Sequence, residues 1–569
     1  MMLGVLQNLV SCAAIAACVD QVCGQDQPVP VTGLTTGIDT ETGEPPSRMN
    51  INTLASQGGP GWDLFIRGLD ALQNRAEDDE RSHYSIGGIH GMPYNSFNGV
   101  SAVPGSVVTG YCPHGETQFV AWHRAYIALY EQTLGEEIQQ LASEYTGDNA
   151  DDYKSAAETF RFPYWDWAGD PSLPNACTQE SIIVAGPDGR IELHNPLYDY
   201  RWQTYPLNQT DFPGFSNMGP TTTRGGDGGF DPDYVNSNLE NATDRIRDSV
   251  YRTFVSSTTY DQMASMSNSG SSFEAPHNDI HNLVGGSFPA LEVTGFDTLF
   301  MLHHCNLDRL SALWMAIHRN NTYQTQTYTS NGLFSTAKGD TITANSPLKP
   351  FYQADGTTLH TGMSVNSTEV FGYTYPELSG RLEADGEIKD IIAQVNKLYG
   401  GLGGISKAAS GPGREWFVDV QVERVDLELP ATIEIYLGDQ LAGRTVLLRM
   451  PMDGLAHDEI PLKRAISALD ISETDPDAIE AALEGQLHIT VKNVCIFPNL
   501  GLPGTFGARP TRKSSSLRAM VMGSCVDHPG PLSARRDTNV LTPIFNRRPM
   551  APYLMGQFRV LRLTLLQKM

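Results

Sequence analysis

Positive charge is scarce in this chain. Its 569 residues hold 39 Lys and Arg against 65 Asp and Glu, a formal net charge of -26 with the histidines neutral. Such an acidic body repels the phosphates of nucleic acid and anionic membranes, so neither is expected as a partner. Long hydrophobic runs are lacking as well. The most apolar stretch, through VSCAAIAACVDQVCGQ near the start, is too short and too interrupted for a membrane span. Its small residues suit removal of a secretory signal over residues 1–24, although the first Lys or Arg of the chain is only Arg48. Secretion or association with the cell wall is the expected location, with an intracellular one as the alternative, and sequons at Asn208, Asn241, Asn320 and Asn366 are compatible with secretion.

Cysteine offers no disulfide framework. Of the eight, Cys12, Cys18 and Cys23 fall in the expected signal and the others are widely spaced, so the fold must rest on its core. The HExxH zinc pattern is missing, as are internal repeats and sustained low-complexity tracts.

What is present is enough apolar residue, 40%, to bury a large core in more than one domain. Apolar residues at helical spacing, Phe119, Val120, Tyr126, Ile127 and Tyr130, predict an amphipathic helix from about Gly115 to Tyr145 that carries His123. A second helix is expected around PHNDIHNLVG and a third from about Asp297, a natural N-cap, to His318. Long loops join them, notably from Asp170 to Tyr234. After Lys397 the glycine-rich LYGGLGGISKAASGPG reads as a linker over 396–413. Beyond it WFVDVQVERVDLEL, TIEIYLG, TVLLRM and QLHITVKNVCIF alternate apolar and polar residues, as half-buried strands do. The expectation is mainly α: a helical domain over 25–395, then a smaller β-sandwich-like domain over 414–569. Its last part, from Arg509, carries eleven Lys or Arg against two acids and is compositionally foreign to the rest.

Six histidines carry the chemistry. His277 and His281 stand four apart, so on a helix both imidazoles leave one face about a turn apart, and His304 on the next helix joins them. His303 would point about 100 degrees away and is expected to pack rather than bind. His90, His114 and His123 form a second set, with only His123 clearly helical. Neutral imidazole suits copper, and two all-histidine sets without carboxylate favour a copper pair over catalytic zinc. Aromatic neighbours of the first set suggest a dry pocket that stacks a flat phenolic ring.

Taken with their surroundings, IHGMP, CPHG, WHRAY, FPYWDW, HNDIHNLVGG, FDTLFMLHHCNLDRL and FGYTYPEL, these residues resemble the type-3 copper proteins, and among them the fungal tyrosinases, over approximately Val29 to Leu378. The resemblance implies a four-helix bundle holding two copper ions, the first on His90, His114 and His123 and the second on His277, His281 and His304. It implies small phenolic substrates, dioxygen as co-substrate, and hydroxylation of monophenols and oxidation of o-diphenols to o-quinones, as in melanin formation. Cys112 matches the cysteine that forms a thioether to the histidine at His114. Glu274 and Asn278 match the pair that orients a water able to take the phenol proton. Leu291 falls at the gate over the second copper and Phe300 beside it; Asp308 and Arg309 match a pair that braces their helix. The carboxy-terminal part resembles a domain that covers the site until a protease removes it, with Phe497 or Phe506 as the side chain filling the pocket. The sequence beyond about Gly507 departs from the family's final strands. A catechol oxidase, an o-aminophenol oxidase and a dioxygen carrier remain alternatives, and the oligomeric state is not legible.

Overall fold

The computed structural model describes residues 28–104, 106, 109–226, 229–380, 385–400, 415–472, 476–493 and the strand 561–568. The expected signal, most of the linker, and Phe497 and Phe506 lie outside the described residues.

Helix forms about 38% of the described residues and strand 17%. Five helices position the site: α1 (His83–His90), α2 (Phe119–Ala142), α3 (Pro232–Ser256), α4 (Glu274–Val284) and α5 (Thr298–Ile317). Asp297 caps α5, its carboxylate accepting from Leu299 N at 2.9 Å. Helix α2 differs from the amphipathic expectation. It is buried on nearly every side from Phe119 to Gly135, because it runs against Gly59–Asn74, α5 and the strand Pro347–Tyr352 together. Only a helix at the periphery needs a polar face. The stretch from Asp170 to Tyr234, expected as loop, contains an antiparallel hairpin, Ser181–Gly186 with Gly189–His194. Among the described residues no helix is long and apolar enough to cross a membrane.

A buried polar network ties α2 to α5. Asp308 accepts from Arg124 Nε at 2.6 Å and from the hydroxyls of Tyr373 and Tyr375 at 2.6 Å, and Arg48 bridges it to Glu131 at 3.2 and 2.9 Å. Cations and hydroxyls together hold the Asp308 carboxyl below its usual range against the opposing effect of burial. Asp308 and Arg309 do not pair with each other: Arg309 turns to Glu377 and to Asp166, 3.4 Å away.

The helix Asp385–Tyr399 runs past Lys397, so the first residues assigned to the linker are helical. Beyond 414 lie two three-stranded antiparallel sheets. One has the order β4-β1-β6 and the other β5-β2-β3, where β1 is Glu415–Glu423, β2 Ala431–Leu437, β3 Gln440–Leu447, β4 Leu455–Pro461, β5 Leu487–Asn493 and β6 Leu561–Lys568. Alternate residues Trp416, Val418, Val420 and Val422 of β1 and Ile433, Ile435 and Leu437 of β2 bury one face each, giving this part its own core. The compositionally foreign ending supplies strand β6. Its backbone pairs along β1 from Leu561 opposite Val422 to Lys568 opposite Glu415. An apolar alternation, LRLTL, was enough to complete a sheet despite its charged surroundings.

The strand-rich part sits on the helical part through ion pairs whose carboxylates are buried. Arg444 reaches Asp279 at 2.6 Å, Arg252 reaches Glu459 at 2.7 Å, and Arg449 reaches Glu292 at 2.9 Å.

Candidate metal centre

Helix α4 delivers His277 and His281 to one face, their Nε2 atoms 3.1 Å apart, and α5 brings His304 Nε2 to 3.2 Å from that of His277. In two of the three the other ring nitrogen is tethered, while His304 Nδ1 has no hydrogen-bond partner among the described residues. His281 Nδ1 meets the Phe288 carbonyl at 2.7 Å and His277 Nδ1 meets Asn278 Oδ1 at 2.9 Å. Both partners are acceptors, so Nδ1 carries the proton and Nε2 presents a bare lone pair. Two bare nitrogens at this distance do not hydrogen-bond each other. They outline the edge of a coordination sphere, since ligands at about 2.1 Å from a first-row ion stand roughly 3.3 Å apart in a tetrahedron.

The first set repeats the device. His90 Nδ1 meets the Leu291 carbonyl at 3.0 Å, His123 Nδ1 meets the Phe119 carbonyl at 2.8 Å, and His90 Nε2 lies 3.2 Å from His114 Nε2. His90 is not in a loop, as its neighbours suggested, but is the last residue of α1. His114 follows in a turn whose approach depends on Gly110. A Cβ there would fall 2.0 Å from the His90 carbonyl oxygen, so a larger residue would push the turn off α1. Cys112 Sγ lies 3.2 Å from His123 Nε2, while Cys112 and the expected thioether partner His114 are joined through the His114 N–H to the Cys112 carbonyl at 3.2 Å.

The two sets face each other. The rings of His123 and His304 stack with centroids 4.2 Å apart, Phe300 touches both His90 (4.7 Å) and His304 (4.2 Å), and Phe119 lies between His123 (4.6 Å) and His277 (4.9 Å). All six histidines are buried. Desolvation pushes every one of their imidazoles down, His90 to about 3 and His281 to about 4, so all are neutral at ordinary pH. Neutral imidazoles in two buried sets, with no carboxylate ligand in either, fit a pair of copper ions.

His303 departs from expectation. Its ligand atom lies within 4.8 Å of those of His277, His281 and His304, its ring stacks 4.8 Å from that of His277, and neither of its nitrogens has a hydrogen-bond partner. A rotation of 100 degrees about the helix does not remove a side chain from a site when the facing helix lies close enough to receive it.

Glu274, in the first turn of α4, is wholly buried. Its Oε1 accepts from Gly115 N at 2.6 Å, and its Oε2 from Ser265 Oγ at 2.8 Å and Met266 N at 2.9 Å. Burial raises its carboxyl above the usual range, opposed first by the guanidinium of Arg424 from the strand-rich part. Asn278 donates Nδ2 to the Val446 carbonyl, also of that part, at 3.2 Å. Leu291 packs with Val446, Leu448 and Met450, and a pocket opens beside it toward His90 and His114. Sequence reasoning missed Arg424, Arg449 and Glu292, because nothing in a linear pattern joins residues so far apart.

Comparison with known proteins agrees with this geometry. The family profile described as the common central domain of tyrosinase matches residues 80–317. The tyrosinase of Podospora anserina is 33% identical over 396 residues, 64% of this chain and 68% of the relative. That of Neurospora crassa is 32% identical over 374 residues, covering 60% of this chain and 54% of its own length. Among solved structures, recombinant mushroom tyrosinase superposes with a TM-score of 0.73 at 23% identity, over 82% of this chain and 91% of that one. The holo-protyrosinase of Aspergillus oryzae gives 0.68 at 20%, over 82% and 93%. At such identities these structures establish a common fold.

Proposed function

The chain belongs to the tyrosinase family, and from that premise we propose that it is a latent phenol oxidase that hydroxylates monophenols and oxidises o-diphenols to o-quinones. The observation that carries the reading is the pair of facing histidine sets, each with its Nε2 lone pairs turned inward.

When bound, the copper pair supplies dioxygen activation and the redox change. One monophenol and one dioxygen give one o-quinone and one water; two o-diphenols and one dioxygen give two o-quinones and two waters. The histidines would hold the ions, and the Nδ1 tethers of His90, His123, His277 and His281 fix those four rings so that little is lost in ordering them. Phe300 and Phe119 exclude water around the rings. Leu291 stands at the mouth as the gate. A phenol must lose its proton before it binds metal, and Glu274 with Asn278 is the pair suited to hold a water that receives it. A thioether from Cys112 to His114 would fix that ring further.

Latency has physical support in what the strand-rich part engages. Its Val446 carbonyl takes the Asn278 amide, its Arg424 faces Glu274, and its Met450 lines the pocket beside Leu291. An activating protease acting between the two parts would free all three, and melanin-type pigment is the expected product in a secreted setting.

The test is an Asn278→Ala variant assayed after limited proteolysis. Monophenol turnover should drop by about a hundredfold, while o-diphenol turnover changes by less than about threefold, because only the former needs the water. Equal losses on both substrates would make Asn278 merely a support for His277. If the cleaved wild type oxidises catechols but never a monophenol, catechol oxidase is the right description.

A further inference from the structure

The pocket beside the first histidine set carries a charge that metal binding and proton transfer do not use. Glu292 directly follows the gate residue and lines this pocket with Tyr94, Thr109 and His114. It is 8% exposed; its Oε1 is held by Arg449 Nη1 at 2.9 Å, but its Oε2 is buried without a hydrogen-bond partner. A buried carboxylate oxygen left unsatisfied is costly, so structural need does not account for it. Among the described residues no other acid lines the pocket. His90 and His114 are kept neutral by burial, and burial likewise raises the Cys112 thiol and the Tyr94 phenol. The second cause of the rise at Tyr94 is the Glu292 charge.

Among the described residues the only cation on Glu292 belongs to the part that covers the site. Arg449 places its guanidinium on the carboxylate while the next residue, Met450, lays an apolar side chain into the pocket against Leu291. A cation joined to an apolar body is the outline of an arylalkylamine. Once the covering part leaves, Glu292 loses its partner and its negative charge faces whatever enters next.

We infer that Glu292 is a specificity-determining residue, selecting phenols whose short side chain ends in an ammonium over those ending in a carboxylate, and that Arg449 with Met450 occupies that place in the covered chain. The inference rests on reading the site as a phenol pocket. Removal of a like-charged competitor by repulsion matters as much here as attraction of the favoured one.

The experiment uses the copper-loaded full chain with Arg449→Ala and Met450→Ala, which empties the pocket without removing the covering part. Calorimetry compares three ligands of similar size: 2-phenylethylamine, 3-phenylpropionate and 2-phenylethanol. The amine should bind at least about tenfold more tightly than the acid. Adding Glu292→Gln should bring the two within about threefold and leave the alcohol unchanged, whereas Glu292→Asp should keep the preference. Thermal unfolding of each variant verifies that it is folded. An amine that binds no better than the acid, including no binding by either, overturns the inference, as does a preference that survives Glu292→Gln. None of these ligands carries a ring hydroxyl, so the result is separate from whether the chain oxidises phenols. Oxygen uptake with 4-methylcatechol reads that second question.

Discussion

Replacing His281 with alanine is expected to reduce bound copper from two ions per chain to one and to lower o-diphenol oxidation by at least about a thousandfold. The ring is fixed from both ends, with Nδ1 on the Phe288 carbonyl at 2.7 Å and Nε2 at 3.1 Å from His277 Nε2. Its loss leaves His277 and His304 as the remaining pair of the second set, and removes the ordered ring that made binding inexpensive in entropy. His303 is the nearest substitute, since its nitrogens are buried, unpartnered and within 4.8 Å of the set. A His281→Ala, His303→Phe double variant therefore decides whether any residual copper in the single variant is rescued by that neighbour. Metal analysis and oxygen uptake on the same preparation read both outcomes. A double variant that keeps two coppers and full turnover would mean that the second set is not the metal site.

A second large effect is expected from Asp458→Asn, and it should depend on pH. Asp458 is 5% exposed at the seam between the two parts, where its carboxylate accepts from Thr445 Oγ1 at 2.8 Å and from Glu459 N at 2.8 Å but has no cation of its own among the described residues. Burial pushes its carboxyl up to about 7, and the charges of Glu459 and Asp279 add to the rise. Nearby Asp279 shows the contrast: with Arg444 and Arg245 on it, its carboxyl is held below the usual range. Because the folded chain holds the Asp458 proton where the unfolded chain has released it, stability falls as pH rises from about 4 to about 7 and the full penalty applies above. The span from 3.8 to about 7 corresponds to about 4 kcal/mol. An asparagine has no charge to bury and keeps an acceptor for Thr445. Asp458→Asn should therefore leave the melting temperature nearly unchanged at pH 4 and raise the transition of the strand-rich part by several degrees at pH 8. Equal shifts at both pH values would show that the carboxylate is ionised and accommodated in the fold.

Much of the centre is legible in residue type and spacing. A four-residue interval on a helix, HNDIH, necessarily brings two imidazoles to one face, and dense motifs around the other histidines tie them to a known family. Asp297 as N-cap follows from the same local chemistry. What was not legible depends on packing. His90 ends a helix whose sequence, HYSIGGIH, includes two glycines and so hides its helicity. The all-round burial of α2 follows from what surrounds it, which no periodicity reveals. Arg48 is joined to Asp308 across 260 residues and Glu292 to Arg449 across 157, so their partners emerge only once the chain is folded. His303 shows the limit of angular arguments, because a helical wheel describes one helix and a metal centre is built between two. Strand β6 failed to be recognised for a different reason: composition over the long basic ending outweighed a short alternation within it.

The proposed function is that of a dicopper phenol oxidase held shut by its strand-rich part. The most direct measurement is oxygen uptake with 4-methylcatechol by the copper-loaded full chain before and after limited proteolysis between the two parts, at constant copper content. The predicted result is slow uptake by the intact chain and a rise of at least about tenfold on cleavage, with two coppers retained by the helical part. Equal uptake before and after cleavage would contradict the covered state, and no uptake in either form would contradict the oxidase.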